Sequence, residues 1–418
     1  MSPQTNDSRS SAVKAGTGCP LPALSAAAML ALALCAASFP LAADDWDFSG
    51  SIQSSLSLRA PEKADGGDLF TAGAEQYANF RLKAAAGERG TVYAAANFVA
   101  ASGNSVPLVQ SGPTAEASAD GGYPVAAPFV VGAGYAAAIE LERLYYRVAG
   151  DAFDIEAGLL RPAFGYGQAW SPSDFLSVRN PLLPDARPRG VLAATGSVYL
   201  GDDVKLKAFA VAGGDPLKTN GAGSIFGLSG DWHTKMGSIQ GLYALETAAS
   251  GWNDTVHRFG LSLKIEAGAA LVVDALYELD AEAVETGLYR GEKWTGLQGL
   301  RASAGIDYSF LDGDLFAVCQ YLYSGDGALA LDDGLIKHNY LYTAFSYRID
   351  DYTNTTISCI AGLEDASASP AISIEHEPFQ GLTLVLSGRI PLGGNDGELG
   401  PGLTGMRSEG GLRVRLRF

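Results

Sequence analysis

Cysteine, histidine and methionine are scarce in these 418 residues, with four of each. Cys19 and Cys35 fall in the first 43 residues, and Cys319 and Cys359 lie on segments not expected to be adjacent, which excludes a disulfide framework. The histidines, His233, His257, His338 and His376, stand at expected strand ends, and no Gly-x-Ser-x-Gly nucleophile motif accompanies them. Asp326 and the Asp332-Asp333 pair sit beside glycines without the spacing of an EF-hand, so neither a metal nor a cofactor is expected. Beyond residue 39 no segment approaches the roughly 20 apolar residues a spanning helix needs, and no long segment has a 3.6-residue period. Basic residues are outnumbered, 29 Lys and Arg against 46 Asp and Glu, which argues against nucleic acid as a partner.

The one long apolar run is at the start. Leu21 to Phe39 follows Arg9 and Lys14 and precedes Leu41-Ala-Ala43, the layout of a secretory signal peptide, so a leader over 1–43 and a single mature domain over 44–418 are expected. Leu32-Ala-Leu-Cys35 approaches a lipoprotein acylation site, but Leu34 occupies the place where a small residue normally precedes the cysteine. Without the leader the formal charge is −18.

What the chain has in abundance is alternation. Phe48, Ile52, Leu56 and Leu58 keep one parity, as do Phe80, Leu82 and Ala84, and Val204, Leu206, Ala208 and Ala210. The same holds for Phe259 to Ile265, Leu271 to Tyr277 and Leu300 to Tyr308. Gly411 to Phe418 is the plainest case: Leu412, Val414, Leu416 and Phe418 alternate with Gly411, Arg413, Arg415 and Arg417. A soluble sheet needs a second layer over its apolar face, and no helices are available to supply one. Short turns at 87–90, 149–151, 201–203, 266–268, 311–314 and 350–352 alternate with longer loops at 101–135, 163–189, 281–296, 324–337 and 392–406. This predicts an all-β fold, a transmembrane antiparallel β-barrel of about 18 strands in the bacterial outer membrane. Sixteen is the nearest alternative, because the segments near 222–246 alternate weakly. The apolar face of the last strand, Leu412, Val414, Leu416 and Phe418, resembles the closing strand of such barrels and reads as their assembly signal.

If apolar positions face lipid, the positions between them face the lumen, and many are basic: Arg81, Lys83, Arg143, Arg147, Lys205, Lys207, Arg258, Lys264, Arg301, Arg348, Arg389, Arg413 and Arg415. Two readings stay open. Charged rings attract counter-ions into a pore, which would favour small anionic solutes. Alternatively these cations pair with neighbouring carboxylates in a mixed-charge wall that confers little selectivity.

The 163–189 loop carries too many large apolar residues for a solvated surface. Ser171, Pro172 and Asp174 read as an N-cap, a first-turn proline and an acidic partner, predicting a short helix there. Folded inward, the loop would narrow the passage through Tyr166 and Trp170, with Asp174, Arg179, Arg187 and Arg189 exposed to solute. The alternative is an external loop packed against its neighbours.

The stretch from Phe153-Asp-Ile-Glu-Ala-Gly158-Leu-Leu-Arg161 through Gly165-Tyr-Gly167 to Trp170-Ser-Pro-Ser-Asp174 and Asn180-Pro181 resembles the porin-like outer-membrane barrels with a Trp-Asn-Pro-x-Asp loop. The match spans about residues 143–210. Phe164 stands where that family has Trp, and Ser171 where it has Asn. The resemblance implies passive passage of small polar solutes, outer-membrane lipid as surroundings, and insertion by the barrel-assembly machinery; several porins form homotrimers. A surface adhesin using the Ala/Gly/Ser-rich 101–135 loop and, more remotely, an outer-membrane hydrolase are the competing classes, though a large circumference serves passage better than display.

Overall fold

The structure is a computed structural model. It describes residues 46–62, 69–105, 125–132, 134–177, 190–212, 224–248, 251–280, 288–289, 292–293, 296–325, 338–394 and 397–418. The leader, and with it Cys19 and Cys35, lies outside the described residues, as do Arg179, Arg187, Arg189, Asp326, Asp332 and Asp333.

In chain order the strands begin with β1 (Trp46–Pro61), β2 (Thr71–Ala85), β3 (Gly90–Gly103), β4 (Val125–Gly132), β5 (Tyr135–Ala149), β6 (Phe153–Leu160) and β7 (Val191–Leu200). They continue with β8 (Val204–Val211), β9 (Ile225–Thr234), β10 (Gly237–Ala248), β11 (Gly251–Ala267), β12 (Ala269–Asp280), β13 (Leu288–Tyr289) and β14 (Glu292–Lys293). The last are β15 (Leu300–Phe310), β16 (Leu315–Ser324), β17 (Asn339–Asp350), β18 (Thr353–Gly362), β19 (Ser367–Phe379), β20 (Leu382–Arg389) and β21 (Met406–Arg417).

Eighteen of these make a closed antiparallel barrel, each paired with its neighbour and β21 returning to β1 through Leu412↔Leu56 and Leu416↔Ile52. Closure leaves no open edge, so every strand finds partners for its backbone groups without water. β4 lies outside the count: it pairs with the half of β5 that the eight-residue β6 does not reach. β13 and β14 form a separate two-stranded hairpin.

The alternation puts large apolar side chains on the outer surface, among them Phe48, Ile52, Leu206, Phe259, Leu261, Ile306, Phe345 and Leu412, all exposed. The opposite parity is polar or small and largely buried: Asn79, Asn97, Ser197, Ser229, Ser262, Asp274 and Ser303. This is inside-out relative to a soluble barrel, the arrangement expected of a sheet whose outer solvent is hydrocarbon. On that surface Phe418 lies beside Phe48 and Phe80, with ring centroids 6.1 and 6.4 Å away, and its backbone exchanges hydrogen bonds with Gly50.

The segments at 222–246 are full strands, β9 and β10. Their alternation is weak because Gly230 and Gly241 interrupt the outer parity, while Ile225, Leu242 and Ala244 on the inner parity are apolar and join a buried cluster. One end of the barrel carries only short turns, including 86–89, 201–203 and 380–381. The other carries the long loops but also two short links the sequence reading passed over, between Ala248 and Gly251 and at 363–366. Cys319 and Cys359 are both free and pair in register with the two sides of Thr343, two strands apart on the outer parity.

Candidate functional site: the barrel interior

After Leu160 the chain leaves the wall and runs across interior-facing positions of the barrel. Phe164 and Phe175 stack with centroids 6.2 Å apart, and Phe164 meets Phe209 at 5.1 Å. They join Leu160, Leu176, Val191, Leu242 and Leu276 in one buried apolar cluster. Trp170, 3 % exposed, lies with Tyr340, Leu322, Ile360 and Leu399 in a second. The polar contacts are as many. The Gly165 N–H donates to Gln240 Oε1 at 2.6 Å, and the Ala169 N–H to Gln320 Oε1 at 2.9 Å. Gln320 Nε2 and Ser303 Oγ both donate to the Trp170 carbonyl. Asp274 accepts from Ser171 Oγ at 2.6 Å and from the Ser173 N–H at 3.0 Å, while Ser173 Oγ and Ser262 Oγ are 2.9 Å apart. Gln168 reaches Asp307 at 2.7 Å.

The helix expected at Ser171 does not form. Residues 171–177 make two successive tight turns, with Asp174 N–H bonded to the Ser171 carbonyl and Ser177 N–H to that of Asp174. The reason is competition for the cap: Ser171 Oγ donates to Asp274 and to the Phe164 carbonyl, and Asp274 supplies the acceptor for Ser173 N–H that an N-cap would offer. Asp174, expected to meet solute, is enclosed at 2 % exposure. Tyr166 is half-buried, and burial together with the Asp231 carboxylate pushes its hydroxyl up to about 12.

A second segment turns inward from the β20–β21 connection. Leu399 is 2 % exposed and its N–H donates to Ser367 Oγ at 3.1 Å; Glu398 N–H donates to Asp365, and the Glu398 carboxylate accepts from the Tyr340 hydroxyl at 2.6 Å. Both segments therefore meet at Tyr340 on β17.

The basic positions divide by environment. Arg147 pairs with Asp154 at 2.8 Å and approaches Glu156 at 3.7 Å; Lys264 pairs with Glu266, Arg348 with Asp314, and Arg389 with Glu409 at 2.6 Å. Arg258 is 5 % exposed, bonded to Glu278 at 2.6 Å and to Glu246, and its guanidinium lies 5.0 Å over the Phe175 ring. Arg143 is half-buried, 3.9 Å from Glu142. Arg301 and Arg413 are half-buried on β15 and β21, and Arg415 donates to Gln53 at 3.0 Å. Arg81, Lys83, Lys205 and Lys207 have no carboxylate within ion-pair distance among the described residues. Lys205 sits 5.5 Å over Tyr199, and Lys207 5.3 Å over Phe164. The wall is thus mixed in charge, and the four cations on β2 and β8 stand outside ion-pair distance of any carboxylate among the described residues.

Sequence reasoning missed the residues that hold the inner segment: Gln240, Ser262, Ser303 and Gln320. Each is a small or neutral polar residue at an interior parity, indistinguishable in a single sequence from any other lumenal position. His233 bonds to Ser238, His257 to Tyr243, His338 to the Ser324 carbonyl and His376 to Thr353; no carboxylate orients any of them as in a triad among the described residues. No group of three or more His, Cys, Asp or Glu with metal-binding geometry occurs among the described residues.

No protein-family model and no curated protein sequence matches the chain. Solved structures do. OccAB3 from Acinetobacter baumannii aligns at TM-score 0.54 and 11 % identity, over 90 % of this chain and 99 % of its own. OccK9 (OpdG) from Pseudomonas aeruginosa gives 0.55 and 10 %, over 90 % and 99 %. OccK2 (OpdF) from the same organism, solved in complex with glucuronate, gives 0.53 and 10 %, over 90 % and 98 %. At such identity the likeness is one of fold: the closed antiparallel barrel of this chain is the fold of these Occ structures.

Proposed function

We propose that this chain is an outer-membrane channel for passive diffusion of small polar solutes, weakly selective and favouring anions. The observation that carries the reading is the closed eighteen-strand wall with apolar side chains outside and charged or amide side chains within. Barrels of this circumference enclose an aqueous channel. The segment after β6 narrows that channel, and the cations at Arg81, Lys83, Lys205 and Lys207 tilt its potential toward anions. Glucuronate, the ligand of the OccK2 structure, is a carboxylated sugar, a solute of the class such cations would attract. The leader over 1–43 directs export, the barrel-insertion machinery takes up the mature chain through the Leu412, Val414, Leu416 and Phe418 face, and no reaction is catalysed.

The test is reconstitution of the purified barrel in a planar bilayer under a salt gradient. Stable single-channel steps are expected, with a reversal potential favouring anions that moves toward cations in the Arg81→Glu, Lys83→Glu variant. Absence of steps would overturn the channel reading in favour of a surface-interaction barrel. A cation-favouring wild type would overturn the charge preference alone.

A further inference from the structure

The contacts that hold the inner segment are not scattered. Through successive register pairs, Asp231 on β9 faces Gln240 on β10, Gln240 faces Ser262 on β11, Ser262 faces Asp274 on β12, and Asp274 faces Ser303 on β15. Five adjacent strands thus contribute one directly opposed interior row. All five side chains are buried, from 0 % exposed at Ser262 and Asp274 to 9 % at Asp231. Four of them touch the segment itself, and the fifth, Asp231, accepts from Gln240 Nε2, which leaves Gln240 Oε1 directed at Gly165 N–H. The row is a belt, and of its members Asp274 makes the most bonds to the segment: one carboxylate engages two of its residues, Ser171 and Ser173.

The segment is shaped to fit. Gly165 has φ +73°, and a Cβ there would lie 2.0 Å from Asp274 Oδ2 and 2.1 Å from Ser171 Oγ. A Cβ on Gly260 would lie 3.3 Å from the Ser173 Cβ, so β11 is bare where the segment crosses it. A buried carboxylate is tolerated only when its lone pairs are met, and here the segment supplies the donors. Wall and segment each satisfy a group that would otherwise be orphaned inside the barrel.

The belt also has a direction. In the ring of eighteen strands β2 stands nine places from β12 either way round, so Arg81 and Lys83 are on the strand diametrically opposite Asp274. We propose that Asp274 is the positioning residue of the channel: through this belt it fixes the inner segment on the β9–β15 arc. The open route is thereby displaced toward the β21–β1–β2 arc and its arginines and lysines. This rests on the channel reading above and adds that the narrowing is a fixed strap rather than a lid that opens.

The test uses the whole barrel in planar bilayers with Cys319 and Cys359 replaced by alanine. Ser173→Cys with Ser262→Cys places two thiols where the hydroxyls are already 2.9 Å apart, which suits a disulfide. On the otherwise native belt, closing or reducing that bridge should leave conductance and reversal potential unchanged. Asp274→Ala should raise conductance and move the reversal potential toward zero; Asp274→Asn, which keeps one acceptor, should fall between. Adding the cysteine pair to Asp274→Ala should restore wild-type values when oxidised and lose them on reduction, a reversal that damage to the wall could not produce. The proposal is overturned if Asp274→Ala, folded by heat-modifiable electrophoresis, conducts like the parent, or if the bridge changes the native channel. No conductance from the parent would instead overturn the channel reading.

Discussion

Replacing Arg258 with methionine should be the most damaging single change in the barrel wall. The guanidinium is nearly enclosed, with 6 % of the side chain exposed, and the Glu278 side chain is 5 % exposed; Glu246, at 19 %, is the better solvated partner. Methionine fills much of the volume but takes the Arg258 guanidinium away from the buried Glu278 carboxylate, and removing one partner of a buried pair costs about 3–5 kcal/mol. Loss of the cation over Phe175 adds roughly 0.5–2 kcal/mol. The assay is reversible urea unfolding from lipid vesicles, followed by tryptophan fluorescence. Adding Glu278→Leu should recover most of the loss, because a buried ion pair exchanged for apolar groups of similar volume is often neutral. The coupling between the two positions should reach roughly 1–3 kcal/mol in the double-mutant cycle. A cost below about 1 kcal/mol for Arg258→Met, or a double variant no better than the single, would refute the reasoning and mean that water reaches Glu278.

Three further outcomes follow from the same geometry. Gly165→Ala forces a methyl into the Asp274–Ser171 contact at a positive φ, so conductance should rise while folded yield in electrophoresis stays near wild type. Phe418→Ala removes the ring shared by Phe48 and Phe80, and the fraction of chain assembled into membranes should drop, read as the ratio of heat-modifiable to unfolded band; an unchanged ratio would place the assembly signal elsewhere. Mild oxidant should form no intramolecular disulfide, since two strand spacings of ~4.8 Å separate Cys319 from Cys359, beyond the reach of one bridge; a bridged species in mass spectrometry would contradict the register.

How much of this was legible without coordinates depends on what each residue reports. Phe259, Leu261 and Leu263 announce an outward face because lipid demands bulk at every second position, and repetition of that demand is what makes the strand pattern readable. β9 and β10 were faint because Gly230 and Gly241 interrupt the outer row, while Ile225 and Leu242 turn inward to an apolar cluster that shows only once the inner segment lies beside them. Ser171 showed the opposite failure. Its local sequence reads as a helix cap, and a distant carboxylate, Asp274, takes the hydroxyl for another purpose. The belt could not be read at all, since serine and glutamine at interior parities carry no mark of what crosses them. Among the basic residues, alternation puts Arg258 and Arg81 on the same kind of face, but only the partners on neighbouring strands distinguish the neutralised charge from the open one.

The two thiols beside Thr343 have a practical consequence. Both sit on the outer parity of adjoining strand pairs, at one register level. A spectroscopic label attached there reads the bilayer while the interior stays untouched. In the membrane channel proposed above, quenching by lipids brominated at known depths would therefore measure how far these strands sit below the headgroups, making the mature chain its own depth gauge.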